Sequence, residues 1–413
     1  MDKQEVLKQL LSPIADNKDW LQILDNKLLE TVAEALSKVT EPITPPLDLV
    51  FNFAKWTDLQ DIKVIIIGQD PYPKAGDAHG LSFSTTATKI PQSLNNIYKC
   101  LQKSKLIEHL PTIGDLTAWA YQGVLLLNKS LTTIVTKSNE HKHIWNDYTN
   151  AIIKKINKYA DENNKKYIWL LWGKEAKSLT YLIDSHHHIM EYTHPSPLAE
   201  AKIPLEQKFS NCQHFVKVNE LLPTPINWNP YVKVHIFTDG SCTSNGTKTA
   251  DSGYAVYKPQ DFYPQVIIKG KPLQTEVQTN IRAEGFALYN AFKLIIKMPL
   301  VYSAVIYTDS KFWIEMFETH IPNWLQKSAD YYKTKANPDM TMKLYKKLSA
   351  VKQYTNLKIE FIESHVSRFT PTLKFGGKPI LYQYNNKVDV LANEARSLKP
   401  GEIEIISDMK ELN

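Results

Sequence analysis

Apolar positions in the first forty residues recur with helical spacing. Leu7, Leu10, Leu11 and Ile14 are followed by Leu21, Leu24, Leu28 and Leu29, which predicts amphipathic helices over residues 2–40. At Asp61 the pattern changes. IKVIIIG (62–68) is a nearly unbroken apolar run between polar flanks, as expected of a buried parallel strand ending in a loop at Gly68. GVLLLN (123–128) and YIWLLWG (167–173) repeat it, and helical segments such as 144–159 separate the runs. Strands alternating with helices predict an α/β sheet whose site lies at the carboxyl ends of the strands. The polar residues just after each strand are therefore the candidates for chemistry.

A Pro-rich stretch, LLPTPINWNPY (221–231), marks a boundary. Beyond it VKVHIFTDGS (232–241), SGYAVYK (252–258) and PQVIIKGK (264–271) predict three successive strands. A helix at 281–297 and a strand at VYSAVIYTDS (301–310) follow, giving a second α/β domain with a mixed sheet. The expected organisation is a first domain over 1–229, a second over 230–400 and a C-terminal tail over 401–413. The join contains no Gly/Ser linker, and no internal repeat interrupts either half.

Composition changes this picture little. The 413 residues are 43% hydrophobic and 22% charged, the balance of an ordinary globular protein. A net charge of +6 suits a polyanionic partner without requiring one. Three cysteines, Cys100, Cys212 and Cys242, form no CxxC pair, which argues against a zinc site or a disulfide framework. The N-terminus has no signal-peptide core and no stretch is long and apolar enough for a membrane span. A soluble, intracellular protein that is not secreted is the expectation.

Three polar clusters follow the strands of the first half: GQDPYPKAGDAHGLSFS (68–84), LLLN (125–128) and HPSPLA (194–199). Together they offer a carboxylate (Asp70), an imidazole (His194), an amide (Asn128) and aromatic rings (Tyr72, Phe83). An amide matches a donor–acceptor edge, a ring stacks on a flat face, and a carboxylate opposes developing positive charge. GQDPY, GLSFS, LLLN and HPSPL, in this order and spacing, resemble the motifs of family 1 uracil-DNA glycosylases from about residue 40 to residue 228. The resemblance implies an α/β/α domain around a central parallel sheet that excises uracil from DNA without a cofactor. It assigns Asp70 to stabilise the oxocarbenium-like sugar and orient water, and His194 to hydrogen-bond uracil O2 as charge builds on the leaving base. Gln69 would assist that oxygen through its backbone, Asn128 would read the uracil edge, Phe83 would stack on the base and Tyr72 would obstruct a thymine methyl. Leu198 would wedge into the duplex vacated by the flipped base, and Ser93 and Ser196 would pinch phosphates. Pro73 stands where many members carry His, Ala199 where many carry Ser, and the segment after Leu198 is longer than usual.

In the second half, acidic residues fall at element ends: Asp239 closing VHIFTDGS, Glu284 near a helix start, Asp309 closing VIYTDS and Asp389 opening the last helix. Clustered carboxylates are costly unless cations neutralise them, and oxygen-only ligands suit Mg²⁺ or Mn²⁺. TDGS, the RAE helix and YTDS resemble the motifs of type 1 ribonucleases H over residues 232–397. That resemblance implies cleavage of the RNA strand of an RNA–DNA hybrid, with two metal ions held by Asp239, Glu284, Asp309 and Asp389. His365 resembles the histidine that helps product leave. Thr279 and Asn280 would contact the hybrid backbone and the RNA 2′-hydroxyls. Trp324, Lys327, Lys333 and Lys335 lie in a segment (323–336) that resembles the family's basic protrusion along the DNA strand.

The two resemblances on one chain imply a bifunctional hydrolase of DNA repair or replication, with uracil-containing DNA and RNA–DNA hybrids as substrates and replication proteins as candidate partners. The competing reading leaves one domain inactive, as a nucleic-acid-binding or replication-accessory module.

Overall fold

The computed structural model describes residues 1–24, 27–201, 203–260, 263–274, 277–298, 300–327, 331–335, 337–363, 379–407 and 409. Internal contacts divide the chain into two units, Met1–Pro230 and Tyr231–Asn413.

The first unit is built on four parallel strands, β1 (Val64–Gly68), β2 (Val124–Asn128), β3 (Ile168–Trp172) and β4 (His188–Tyr192), in the order β2-β1-β3-β4. Every residue of β1, β2 and β3 is buried, which is why each reads as a continuous apolar run rather than an alternation. Alternation survives in what each side chain meets. Ile65, Ile67, Leu125 and Trp169 enter one core with Trp20, Trp145 and Ile152. Val64, Ile66, Leu126 and Leu170 enter another with Leu94, Ile97 and Phe215. The first core is covered by α1 (Lys3–Leu11), α2 (Lys18–Leu24), α3 (Lys27–Ser37) and α5 (Lys142–Glu162), and the second by α4 (Gln92–Lys103) and α6 (His214–Leu221). The strand at His188–Tyr192 carries His188 and Glu191 at the sheet edge, so its run is too polar to stand out in the sequence.

The second unit holds a mixed six-stranded sheet: β5 (Val232–Thr243), β6 (Asp251–Lys258), β7 (Val266–Gly270), β8 (Val301–Thr308), β9 (Asn356–Phe361) and β10 (Ile403–Ser407). The order is β9-β8-β5-β6-β7-β10, with parallel pairs joining β9, β8 and β5 and antiparallel pairs the rest. Helix α7 (Asn280–Ile296) packs on β5 and β6 and also meets α8 (Pro338–Lys352). Helix α9 (Pro379–Ala395) covers β5 and β6 through a core of Phe237, Ala255, Tyr307, Val388 and Ala392.

Two sequence expectations change here. The segment expected as a tail from 401 supplies the edge strand β10, because Ile403-Glu-Ile-Ile suits an edge and Gly401, at φ +83°, turns the chain back onto Lys271. Asp389 does not open the last helix but lies within it, since the described residues of that helix run from Pro379 to Ala395. Among the described residues no helix is long and apolar enough to cross a membrane.

Candidate active sites

In the first unit the site forms where β1 and β2 end side by side, with Gly68 paired to Asn128. Pairing continues past the strands, as Lys129 N–H donates to Gly68 O (3.0 Å) and Ser130 N–H to Gln69 O (2.9 Å). A side chain at position 68 would overlap the Asn128 Oδ1 and crowd Ser82 Cβ at 2.7 Å, so glycine there makes room for the amide. A cavity of about 480 Å³ opens beyond these ends and is lined by Asp70, Tyr72, Phe83, Asn128 and His194, with Ser93, Ser196 and Leu198 at its boundary.

Phe83 occupies a left-handed backbone conformation, φ +62°, which is strained for an aromatic residue and persists only where its surroundings hold it. The Tyr72 hydroxyl donates to Phe83 O at 3.0 Å. The Phe83 ring lies 5.4 Å from the Trp172 ring and 5.9 Å from the His194 ring. Burial raises the Tyr72 phenol pKa well above its usual value, so this residue stays a neutral donor.

His194 follows β4. Its Nδ1 accepts from Ser196 N–H at 3.1 Å, and burial holds its pKa below the ordinary imidazole value. The ring is therefore neutral at pH 7, with its proton on Nε2. Gly173, at φ +84°, lets the chain pass His194, since a Cβ there would lie 2.8 Å from the His194 Cβ. Burial pushes the half-buried Asp70 carboxyl up from its ordinary value, and Asn139 N–H, donating to Oδ2 at 2.9 Å, opposes that rise.

Leu198 is 83% exposed at the start of a short helix, Pro197–Glu200, capped by the Ser196 hydroxyl. Two residues without motif status hold this loop. Asn96 Nδ2 donates to Pro195 O (2.8 Å) and to the Glu200 carboxylate (3.0 Å), whose other oxygen accepts from Phe209 N–H (2.8 Å). The long segment between Glu200 and Phe209 is thereby pinned at both ends. Asn96, Asn139 and Glu200 escaped the sequence reading because each acts through individual hydrogen bonds, which leave no spacing pattern.

In the second unit Asp239 sits within β5 rather than closing it. The parallel partner β8 stops at Thr308, while the antiparallel partner β6 continues pairing to Thr243, so the strand runs on past the carboxylate. Asp309 follows the end of β8, and Glu284 projects from the first turns of α7. Gly240 permits that approach, because any side chain there would overlap the Glu284 amide. One carboxylate oxygen from each of Asp239, Glu284 and Asp309 lies within 4.8 Å of the others. Asp389 stands near enough to Asp239 for its charge to raise the Asp239 pKa, and Asn393 Nδ2 donates to Asp389 Oδ1 at 3.2 Å.

Burial, then repulsion from Asp309 and Asp389, raises the Asp239 pKa well above the ordinary range. Burial, then Asp239 and Asp309, does the same to Glu284. Glu284 Oε2 and Asp309 Oδ1 are buried without a hydrogen-bond partner. Carboxylate oxygens converging from three elements, two of them without a partner, fit a divalent cation with oxygen preference.

Around this group, Thr279 caps α7 by accepting from Arg282 N–H at 3.2 Å, and Asn280 N–H donates to Asn245 Oδ1 at 3.1 Å. Arg282 grips Asp339 through two guanidinium nitrogens, at 3.1 and 2.9 Å, tying the start of α7 to the start of α8. Lys327, Lys335 and Trp324 gather around Tyr331, whose ring centroid lies 4.8 Å from Lys327 Nζ and 4.6 Å from Lys335 Nζ. Hydrogen bonds from Lys335 and Lys327 hold the Tyr331 phenol below its usual range. Lys333 is not part of that group and lines a separate cleft with Asp339, Lys343 and Lys346. His365 lies outside the described residues.

Comparison with known proteins divides the chain in the same way. Residues 54–222 match the model of the uracil DNA glycosylase superfamily, and residues 232–397 that of RNase H. The uracil-DNA glycosylase of Campylobacter concisus is 38% identical over 240 residues, which cover 54% of this chain and 98% of that protein. The uracil-DNA glycosylase of Francisella tularensis subsp. novicida is 43% identical over 194 residues, 45% of this chain and 84% of that protein. Among solved structures, mimivirus uracil-DNA glycosylase aligns at 26% identity over 55% of this chain and 89% of its own, with a TM-score of 0.45.

Proposed function

The chain belongs to the uracil-DNA glycosylase family through its first unit and carries an RNase H domain in its second; from this premise we propose two active sites, one excising uracil from DNA and one cutting the RNA strand of RNA–DNA hybrids. The observation that carries the first is the convergence of Asp70, Asn128, Phe83 and neutral His194 on one cavity. A flipped uracil stacks on Phe83 and presents its polar edge to the Asn128 amide. The C1′–N1 bond breaks with its electron pair passing to N1, and the charge spreads to O2. There the Nε2 proton of His194 is donated in a hydrogen bond that strengthens as the charge develops. The Asp70 carboxylate stabilises the cationic sugar and orients the water, whose oxygen bonds to C1′ as one of its O–H bonds breaks and the proton passes to the carboxylate. Tyr72, fixed on Phe83 O, occupies the side on which a thymine methyl would project. Leu198 fills the space left in the duplex, and Ser93 and Ser196 grip the flanking phosphates.

In the second unit Asp239, Glu284, Asp309 and Asp389 would hold divalent cations, and the partnerless buried oxygens of Glu284 and Asp309 support that assignment. Bound Mg²⁺ or Mn²⁺ would supply Lewis-acid charge at the scissile phosphate. The protein's own part is to position substrate. Thr279 and Asn280, at the start of α7, meet the hybrid backbone and the 2′-hydroxyls, and Lys327, Lys335 and Trp324 track the DNA strand. His365 assists product departure.

One preparation tested on a uracil-containing oligonucleotide and on an RNA–DNA hybrid, each with Mg²⁺ and with EDTA, decides the reading. Uracil release in both conditions with hybrid cleavage only in Mg²⁺ is the expected result. Absence of either activity would reduce that unit to a binding module.

A further inference from the structure

We propose that Asn139 is a positioning residue for uracil excision, bracing the loop that carries Gln69 and Asp70 from a neighbouring loop; this rests on the reading of Asp70 given above. Residues 135–141 make an unusually constrained connection. Two of them, Thr136 at φ +72° and Asn139 at φ +63°, sit in the left-handed region without being glycine. Such backbone is strained and persists only where its surroundings over-determine it. Here they do. Val135 N–H donates to Pro42 O (2.8 Å) and Lys137 N–H to Ile134 O (3.0 Å), while the Thr133 hydroxyl donates to Lys137 O (2.7 Å). Below, buried His141 shares the Thr132 hydroxyl at 2.8 Å, and that oxygen also accepts from Trp145 Nε1 at 2.6 Å.

What the strain achieves is contact with the 69–73 loop at three residues. Thr136 N–H donates to Pro73 O at 2.8 Å. Asn139 N–H donates to Asp70 Oδ2 at 2.9 Å, and Asn139 Oδ1 accepts from Gln69 Nε2 at 2.8 Å. The left-handed backbone at 139 aims the N–H at one neighbour while the side chain reaches the other. Asparagine is among the few side chains that tolerate that geometry.

Among the described residues, Asn139 N–H is the one hydrogen-bond donor to the Asp70 carboxylate. The other ionisable groups around it are Tyr72, Lys174, Glu175 and His194 on the cavity wall, Asp77 beside Tyr72, and Lys137, Glu140 and Lys142 on the bracing loop or just beyond it. None of them hydrogen-bonds Asp70. The acid limb of kcat reports protonation of the working carboxylate in the complex. A lost N–H donor raises that carboxylate's pKa, so the limb moves to higher pH.

The experiment measures kcat against pH on uracil-containing single-stranded DNA for the full chain and for Asn139→Gly, Asn139→Val and Asn139→Asp. Glycine accepts φ +63° and keeps the N–H, so its acid limb stays in the wild-type position. Valine cannot hold that backbone. Its limb moves up and its kcat at neutral pH falls about 10²-fold, the cost of misplacing a reacting group. If thermal melting shows the valine variant unfolded, the aspartate variant decides, since it tolerates the backbone and places a like charge beside Asp70. An upward shift supports the proposal. An acid limb unmoved in the folded valine or aspartate variant, or moved as far by glycine as by valine, overturns it. Asp70→Asn is the separate control, because full excision by that variant would overturn the reading of Asp70 and not the brace.

Discussion

Replacing Glu284 by glutamine is expected to stabilise the metal-free second unit while abolishing hybrid cleavage. The carboxylate is 3% exposed, and one of its oxygens lies within 4.8 Å of oxygens from both Asp239 and Asp309. Two unit charges at that separation repel by about 3 kcal/mol at an effective dielectric of about 20. The folded protein relieves part of this by taking up a proton, so the recoverable gain is roughly 1–3 kcal/mol. Glutamine keeps an oxygen for Gly240 N–H, which hydrogen-bonds Glu284. It also brings a donor to the partnerless Asp309 Oδ1. For a unit of this size each kcal/mol moves the melting temperature by about 2–4 °C. The assay is calorimetry at neutral pH in EDTA and again in excess Mg²⁺, with the second unit's transition identified as the one that Glu284→Gln shifts. In EDTA the variant melts several degrees above wild type. In Mg²⁺ the order closes or reverses, because wild type gains binding energy that the variant has lost. A variant that melts lower than wild type in EDTA would refute the argument that these carboxylates repel one another in the absence of cations.

Three further outcomes follow from the geometry. His194→Gln should lower kcat for uracil release by about 10²–10³, the usual cost of removing a donor to a developing oxyanion; kcat near wild type would exclude His194 from that role. Leu198→Ala should depress excision from duplex DNA at least about tenfold more than from single strands, since a wedge offsetting even about 1.4 kcal/mol of unstacking is worth that factor. Equal loss on both substrates would remove the wedge assignment, and Glu200→Ala, which releases the same loop from Asn96, should show the same bias in weaker form. Lys335→Ala should reduce the salt dependence of hybrid binding, flattening the slope of log K against log salt by about 0.9 for one lost phosphate contact, and an unchanged slope would place Lys335 off the backbone.

How much of this was legible in the sequence depends on whether a feature leaves a periodic or composite trace. The three buried strands were readable because a strand covered on both faces must be apolar at every position. The candidate residues at their ends were readable because the loops that follow the strands of a parallel sheet converge, as Asp70, Asn128 and His194 do on one cavity. Two edge strands were not. His188–Tyr192 and Ile403–Ser407 are only partly covered, so polar residues interrupt them and the second passed for a tail. The position of Asp389 was misjudged because the segment before it carries no clear helical pattern, whereas the helix already includes Pro379–Val388. Lys333 was grouped with Lys327 and Lys335 through the resemblance of segment 323–336 to a basic protrusion, which gives no detail of what each lysine faces; Lys333 lines a cleft with Asp339 and Lys343.

The two sites handle buried carboxylates in opposite ways, and that difference bears on how one chain can host both. Asp70 is a single carboxylate with a backbone donor on one oxygen, a neutral histidine lining the same cavity and no anionic hydrogen-bond partner. Its ionised form is supported by the protein alone, so the chemistry assigned to it needs no cation. Asp239, Glu284 and Asp309 repel one another and leave two oxygens without partners, so their joint ionisation needs charge from outside the chain. Divalent-cation supply therefore bears on the second reaction and leaves the first untouched. If free Mg²⁺ falls, hybrid cleavage is expected to stop while uracil excision continues, which would make the two activities separable on the intact protein without cutting the chain.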